Sequence, residues 1–305
     1  MNKKTKLKQK IRQLKKEKNA VILAHFYQPL EIQEIADYVG DSYGLSVKAR
    51  NAKENTIVFC GVSFMAETAK ILSPQKKVLN PNPYAKCPMA QMITPDEINK
   101  LKAQHKDAMV VAYVNTTTEV KAVSDVCVTS STAEDIVNKL PADKIIFVPD
   151  KNLADYVRRF TNKEIIAGEG YCYVHDKFQA EHIRKAKEIH PDAKIIVHPE
   201  CNKEVIDIAD KALSTSGMIS YVAKSDSGKF IIGTEQGLID RLIRMFPEKQ
   251  FFSAGSAGIC SNMKKISLEN IIDVLQNEKY IVEIPEHTLK KANKSLERMI
   301  ELSNF

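Results

Sequence analysis

Cys87, Cys172 and Cys260 lie 85 and 88 residues apart, at near-equal thirds of a 305-residue chain. Each follows a short apolar run by a loop, with Pro88, Gly170 and Gly258 close by. Loop thiols in a chain with no disulfide framework point to metal binding. Three ligands from three distant segments are unlike a zinc finger, whose ligands come in close pairs. Such a set suits a cluster with one open metal corner, able to polarise a carbonyl or hydroxyl as a Lewis acid. A spread three-thiolate zinc site fits the same spacing. Cys60 and Cys127 lie inside or beside strand-like runs and read as small buried hydrophobes. Cys201 follows His198-Pro199-Glu200 at a strand end, and its own position leaves its role open.

A second group of polar residues falls at matching strand ends: His25 and Tyr27, Tyr113 and Asn115, His198 and Glu200. A third group, Ser42, Ser130 and Thr215, opens helix-compatible segments, with neighbours Asp41, Thr129 and Ser214. A lone histidine there is usually a hydrogen-bonded core residue, and a lone serine an N-cap. The triplication changes the reading. Three equivalent strand ends facing one axis collect these groups in one cleft, and hydroxyls with free N–H groups at helix starts make an anion site.

The positioning elements follow from an internal repeat. Glu31-Ile32-x-x-Ile35-Ala36-Asp37 recurs as Glu119-Val120-x-x-Val123-Ser124-Asp125 and Glu204-Val205-x-x-Ile208-Ala209-Asp210, at offsets of 88 and 85. The same offsets relate the apolar runs Val21–His25, Met109–Tyr113 and Lys194–His198, and then Thr56–Cys60, Lys144–Val148 and Lys229–Gly233. Lys77–Asn80, Lys163–Ile166 and Gln250–Phe252 come last, with small indels. The pattern predicts three similar three-layer α/β/α domains, each with a small parallel sheet, around a pseudo-threefold axis. Ligands bind such sheets at the carboxyl ends of the strands. The expected units are residues 1–87, 88–172 and 173–260, with helices in 261–305 docking back on the first. Leu268–Gln276 and Pro285–Leu302 read as those helices. The basic start, Met1–Lys18, reads as a solvated amphipathic helix with Leu7, Ile11 and Leu14 inward. No aromatic or Gly-rich RNA signature accompanies it, so it is not read as a nucleic-acid arm. It has no apolar leader, and no 18-residue apolar run occurs in the chain. These features predict a cytoplasmic protein with reduced thiols and neither membrane nor nucleic-acid partner. The mild net charge of +7 suits small anionic substrates.

Several runs resemble the quinolinate synthase family: Ala24-His25-Phe26-Tyr27-Gln28, Gly40-Asp41-Ser42, Gly61-Val62-Ser63-Phe64-Met65-Ala66-Glu67-Thr68-Ala69-Lys70-Ile71-Leu72, Tyr113-Val114-Asn115, Cys127-Val128-Thr129-Ser130-Ser131, Val148-Pro149-Asp150-Lys151-Asn152-Leu153, His198-Pro199-Glu200 and Ser214-Thr215-Ser216-Gly217-Met218. The resemblance covers all but the basic first 18 residues. It implies three α/β domains and one [4Fe–4S] cluster per subunit, held by Cys87, Cys172 and Cys260, with Cys201 outside the set. It implies condensation of iminoaspartate with dihydroxyacetone phosphate to quinolinate, with loss of phosphate and two waters, in NAD biosynthesis. It also implies a functional link to an aspartate-oxidising enzyme that supplies iminoaspartate. The cleft-lining set carried over is His25, Tyr27, Ser42, Tyr113, Asn115, Ser130, His175, His198, Glu200 and Thr215. Within it the catalytic candidates are Tyr27, His25, Tyr113 and Glu200: Tyr27, placed near His25, is the candidate acid/base for the triose, and Glu200 and Tyr113 for later proton transfers. His175 is expected at the start of the helix after Cys172. Two rival functions remain: a hydro-lyase using the same cluster on another hydroxy acid, and a metal or redox sensor whose basic N-terminus touches nucleic acid.

Overall fold

The computed structural model describes residues 2–255 and 258–303. After the N-terminal helix α1 (Lys3–Glu17), the chain folds one arrangement three times. The first unit runs β1 (Ala20–His25), α2 (Leu30–Gln33), β2 (Tyr38–Gly40), α3 (Ser42–Asn51), β3 (Thr56–Cys60), α4 (Ser63–Leu72) and β4 (Lys77–Leu79). After α5 (Pro95–Gln104) the second has β5 (Met109–Tyr113), α6 (Thr118–Ala122), β6 (Val126–Val128), α7 (Ala133–Lys139), β7 (Lys144–Val148), α8 (Lys151–Arg158) and β8 (Glu164–Ala167). After α9 (Ala180–Ile189) the third has β9 (Lys194–Val197), α10 (Lys203–Asp207), β10 (Lys211–Ala212), α11 (Thr215–Lys224), β11 (Lys229–Gly233), α12 (Gln236–Met245) and β12 (Gln250–Ser253). Each makes a four-stranded sheet in the order second, first, third, fourth, with every neighbouring pair parallel. The expected three-fold α/β architecture is therefore the one observed, with strand bounds within one residue of those read from the pattern.

Central strands are apolar throughout because both faces are covered. All six residues of β1 and all five of β3 are buried. The repeated aspartate of the helical phrase explains itself here. Asp37, Asp125 and Asp210 each accept the N–H of a residue in the first strand of their unit, Ile22, Val110 and Ile195, at 2.8, 2.7 and 2.8 Å. A second repeated device closes the amino end of each last strand. Lys76 Nζ donates to the carbonyls of Ala52 and Glu54, Lys163 Nζ to those of Leu140 and Ala142, and Lys249 Nζ to those of Val222 and Ser225. Each lysine thus satisfies carbonyls left over where α3, α7 or α11 ends.

In α1, Ile11 and Leu14 are buried and Leu7 packs against the same core. Several of its lysines pair with acids of the fold itself: Lys4 with Glu31, Lys8 with Glu34, Lys15 with Asp37. Of the C-terminal helices, α13 (Leu268–Asn277) packs beside α1 on the first sheet through Ile271 and Leu275. The last helix, α14 (Glu286–Ser303), lies across α6 and β6 of the second unit and also touches α4 of the first. Its Ala292, Leu296, Met299 and Ile300 belong to one core with both sheets. No helix among the described residues is long and apolar enough to cross a membrane.

Leu296 is fully buried in that shared core. Leu296→Ala is expected to cost about 2–5 kcal/mol, read as a lower thermal midpoint by circular dichroism.

Candidate active site

The three cysteines reach one place through a repeated main-chain contact. The first residues of α4, α8 and α12 are Ser63, Lys151 and Gln236. Their N–H groups have no partner inside the helix. They donate instead to the carbonyls of Ala85, Gly170 and Gly258, at 2.8, 2.8 and 2.7 Å. Each acceptor lies two residues before a cysteine: Cys87, Cys172 or Cys260. The fit is tight in the second and third units. A Cβ on Gly170 would lie 2.9 Å from the Pro149 carbonyl oxygen, and one on Gly258 would lie 3.0 Å from the Thr234 carbonyl oxygen. The three half-buried thiols then line one pocket. Burial pushes the Cys87 thiol up to about 12, and raises Cys172 and Cys260 as well. Metal binding would therefore release protons.

The donor set fits a group that takes three thiolates. The three come from three units into one pocket, while Cys60, Cys127 and Cys201 are fully buried away from it. The sulfur of Cys172 also lies within 4.8 Å of ligand atoms of His175 and Glu200, an arrangement that would suit a single ion. Those two side chains already bond each other, as described next.

The strand-end residues line the same pocket: His25, Tyr27, Tyr113, Asn115, His198 and Glu200. His25 and His198 share one local turn. The backbone N–H of Tyr27 donates to His25 Nδ1 at 3.1 Å, and that of Glu200 to His198 Nδ1 at 3.3 Å. An Nδ1 that accepts leaves the proton on Nε2. Burial holds both rings neutral, with their pKa values lowered to about 3. Each is thus a neutral N–H donor. Asn115 Oδ1 is buried with no protein partner among the described residues, an acceptor left for a ligand.

His175, expected to line the cleft, is not among its lining residues: it is fully buried behind them, stacked on His198 with ring centroids 4.4 Å apart. It does not open a helix: α9 begins only at Ala180, and His175 sits in the turns after Cys172. Its Nδ1 lies 2.6 Å from Glu200 Oε2. Its Nε2 lies 2.9 Å from Thr234 Oγ1, and that oxygen is 2.9 Å from the Tyr27 hydroxyl. Burial alone would raise the Glu200 carboxyl, but its histidine neighbours and the hydrogen bonds it accepts from His175 and Tyr113 outweigh burial and hold it below the usual carboxylate range. With Glu200 ionised, His175 donates through Nδ1, accepts from Thr234 through Nε2, and Thr234 accepts from Tyr27. Burial, then the Glu200 charge, raises both Tyr27 and Tyr113 well above the usual phenol range. The chain Tyr27–Thr234–His175–Glu200 is a continuous proton path.

Thr234 was not among the residues singled out from sequence. It follows β11 directly, where Gly61 and Pro149 stand in the other units. Applying the strand-end criterion to the third strand of each unit would have found it.

The hydroxyl set divides. Ser42 and Thr215 begin α3 and α11, behind the caps Asp41 and Ser214, which accept from Gly44 and Gly217 N–H at 2.8 and 3.2 Å. Ser130 departs from the expectation that it opens a helix. In the second unit Thr129 Oγ1 bonds the hydroxyls of Ser131 and Thr132, at 2.9 and 3.2 Å, and this turn delays α7 to Ala133. Ser130 lines the pocket from the turn, with Ser42 and Thr215.

Fold and pocket together define a class: a three-unit α/β protein whose strand ends converge on one small-molecule site. The sequence model of the quinolinate synthetase A protein family matches residues 9–301, and the chain belongs to that family. It is 53% identical over 298 residues to the quinolinate synthase of Clostridium novyi, covering 97% of this chain and 99% of that one. It is 49% identical over 305 residues to the quinolinate synthase of Pyrococcus furiosus, covering 99% and 100%. It is 48% identical over 295 residues to quinolinate synthase 2 of Methanosarcina acetivorans, covering 97% and 95%.

The buried histidines set an acid limit on stability. Below their ordinary pKa of 6.5 the unfolded chain binds protons that folded His25 and His198 refuse down to about 3. Stability therefore falls as pH drops through that window, by up to about 1.4 kcal/mol per pH unit for each ring. Thermal midpoints measured from pH 7 to pH 5 should fall, and His198→Gln should flatten the slope. An unchanged slope in that variant would contradict the neutral assignment.

Proposed function

We propose that the chain condenses iminoaspartate with dihydroxyacetone phosphate to quinolinate, releasing phosphate and two waters, in the route to NAD. One observation carries the reading. A single pocket is lined by three thiols and the hydroxyl residues Ser42, Ser130 and Thr215, with the hydrogen-bonded chain from Tyr27 to Glu200 running behind it. Family membership supports it. The reaction is a carbon–carbon bond-forming transfer followed by dehydration. An aspartate-oxidising enzyme would supply the imine. We place the reaction in the cytoplasm, where thiols stay reduced.

Cys87, Cys172 and Cys260 would hold a [4Fe–4S] cluster. When bound it supplies an iron without a protein ligand, a Lewis acid for a substrate oxygen and a departing hydroxide.

The chain's own groups do the rest. Ser42, Ser130 and Thr215, with N–H groups at the starts of α3 and α11, bind phosphate and carboxylate oxygens. The Nε2–H groups of His25 and His198 donate to substrate oxygens. Tyr27, whose raised pKa keeps it protonated, is the acid/base group toward the triose: as its oxygen takes a substrate proton, its own passes along Thr234 and His175 to ionised Glu200. Ionised Glu200 and the adjacent Tyr113 serve the later proton transfers. Asn115 Oδ1 accepts from a substrate N–H or O–H.

Anaerobic reconstitution with iron and sulfide, followed by product analysis with both precursors, tests the assignment. Quinolinate is the expected product, and a hydro-lyase acting on another hydroxy acid would make none. Glu200→Gln should lower kcat by about 10²–10⁴-fold with the cluster intact. Near-normal turnover would remove Glu200 from the chemistry. Thr234→Val breaks the path at its middle and should lower kcat about tenfold or more, the worth of one buried hydrogen bond. Cys172→Ser should abolish the full cluster spectrum.

A further inference from the structure

Glu235 takes no part in the proton path, yet it is fully buried beside the pocket. It stands where the first unit has Val62 and the second Asp150. As cap of α12, its Oε2 accepts from the Gly237 N–H at 2.6 Å. Its Oε1 accepts from the backbone N–H of Cys260 at 3.1 Å. Its charge is matched by Lys264, with Nζ 2.8 Å from Oε1 and 3.1 Å from Oε2. The same Nζ donates to the backbone carbonyl of Tyr27 at 2.6 Å. The backbone N–H of Lys264 donates to the Cys260 carbonyl at 3.2 Å. Both main-chain groups of Cys260 are thus taken, one by each member of the pair.

The Tyr27 segment is fastened to the third unit on its other side too. Gln33 Nε2 donates to the carbonyls of Phe26, Gln28 and Gly237, at 2.9, 2.9 and 3.2 Å. A Cβ on Gly237 would come within 2.8 Å of the Phe26 carbonyl oxygen. The backbone around Tyr27 therefore follows the start of α12 closely.

The cysteine clamp does not require this ion pair. In the first unit it forms beside Val62, and in the second beside Asp150, whose Oδ2 has no partner among the described residues. A buried ion pair is also a poor means of adding stability, because desolvation offsets the attraction. Among the described residues of the three units, only this pair reaches from a cysteine's backbone to the backbone of Tyr27.

We propose that Glu235 and Lys264 are positioning residues that couple the Cys260 loop to Tyr27, so that ligation at the third cysteine and placement of the Tyr27 hydroxyl are set together. The inference rests on the reading of Cys260 as a cluster ligand and Tyr27 as the acid/base group.

The test compares holoenzyme carrying Lys264→Met, Glu235→Gln or both. Steady-state kinetics and the rate at which an external chelator removes iron are measured on each. Lys264→Met should lower kcat about tenfold with KM of either substrate moved less than about threefold, because the anion-binding groups lie elsewhere. Iron release should quicken about tenfold, as fits the loss of a hydrogen bond worth about 1.4 kcal/mol. The nearly isosteric Glu235→Gln, whose folding is checked by its melting curve, should show both effects. The double variant should be no worse than the worse single one, as expected of residues acting as a unit. Normal kcat or normal iron release in either single variant would overturn the proposal, and so would losses that multiply in the double variant. A wild-type enzyme that holds its cluster and forms no quinolinate would instead overturn the assigned reaction, and iron release alone would then decide whether the pair secures Cys260.

Discussion

One backbone hydrogen bond, made three times, decides where the chemistry can occur. A parallel strand must end before its crossover helix begins, so each helix starts beside the carboxyl end of its strand. The N–H groups at that start have no partner within the helix. In this fold the first N–H of α4, α8 and α12 captures the chain two residues before a cysteine. The thiols therefore inherit their positions from sheet geometry. Sheet polarity, close approach at Gly170 and Gly258, and the convergence of three units all serve that contact.

The pocket so formed holds its charges by hydrogen bonding rather than by cationic side chains. None of its described lining residues is lysine or arginine. Neutral histidines, hydroxyls and backbone N–H groups supply the donors, and the carboxylate of Glu200 is kept ionised by the hydrogen bonds it accepts from His175 and Tyr113. Neutral donors grip an anion less tightly than guanidinium groups do. That suits a site which, on the proposed reaction, must let phosphate go. It also lets proton-carrying groups stand close together, because moving a proton along Tyr27, Thr234 and His175 exchanges donors for acceptors without stranding a charge.

Much of this was legible in the residues themselves. The offsets of 88 and 85 gave three units, strand bounds within a residue, and the polar groups at the first strand of each unit. What the repeat could not show lies where the copies differ. Ser130 matches Ser42 in position but not in backbone, because hydroxyls around Thr129 make a turn of their own. Thr234 was hidden because its counterparts, Gly61 and Pro149, have no hydroxyl. His175 follows a cysteine at a spacing that suggested a helix start, and only tertiary packing shows it behind the cleft, stacked on His198. The reach of α14 onto the second unit rests on the packing of a stripe whose partner the stripe itself does not name.

The lysine clasps and aspartate ties have a consequence for how such a molecule can change. Lys76, Lys163 and Lys249, like Asp37, Asp125 and Asp210, do the same job in every copy. None of them lines the pocket. At the opposite rim, equivalent positions carry His25, Tyr113 and His198, then Tyr27, Asn115 and Glu200. A duplicated module with its upkeep at one margin and its chemistry at the other can be edited at the second without touching the first. The three copies can diverge into different tools while still folding by one recipe.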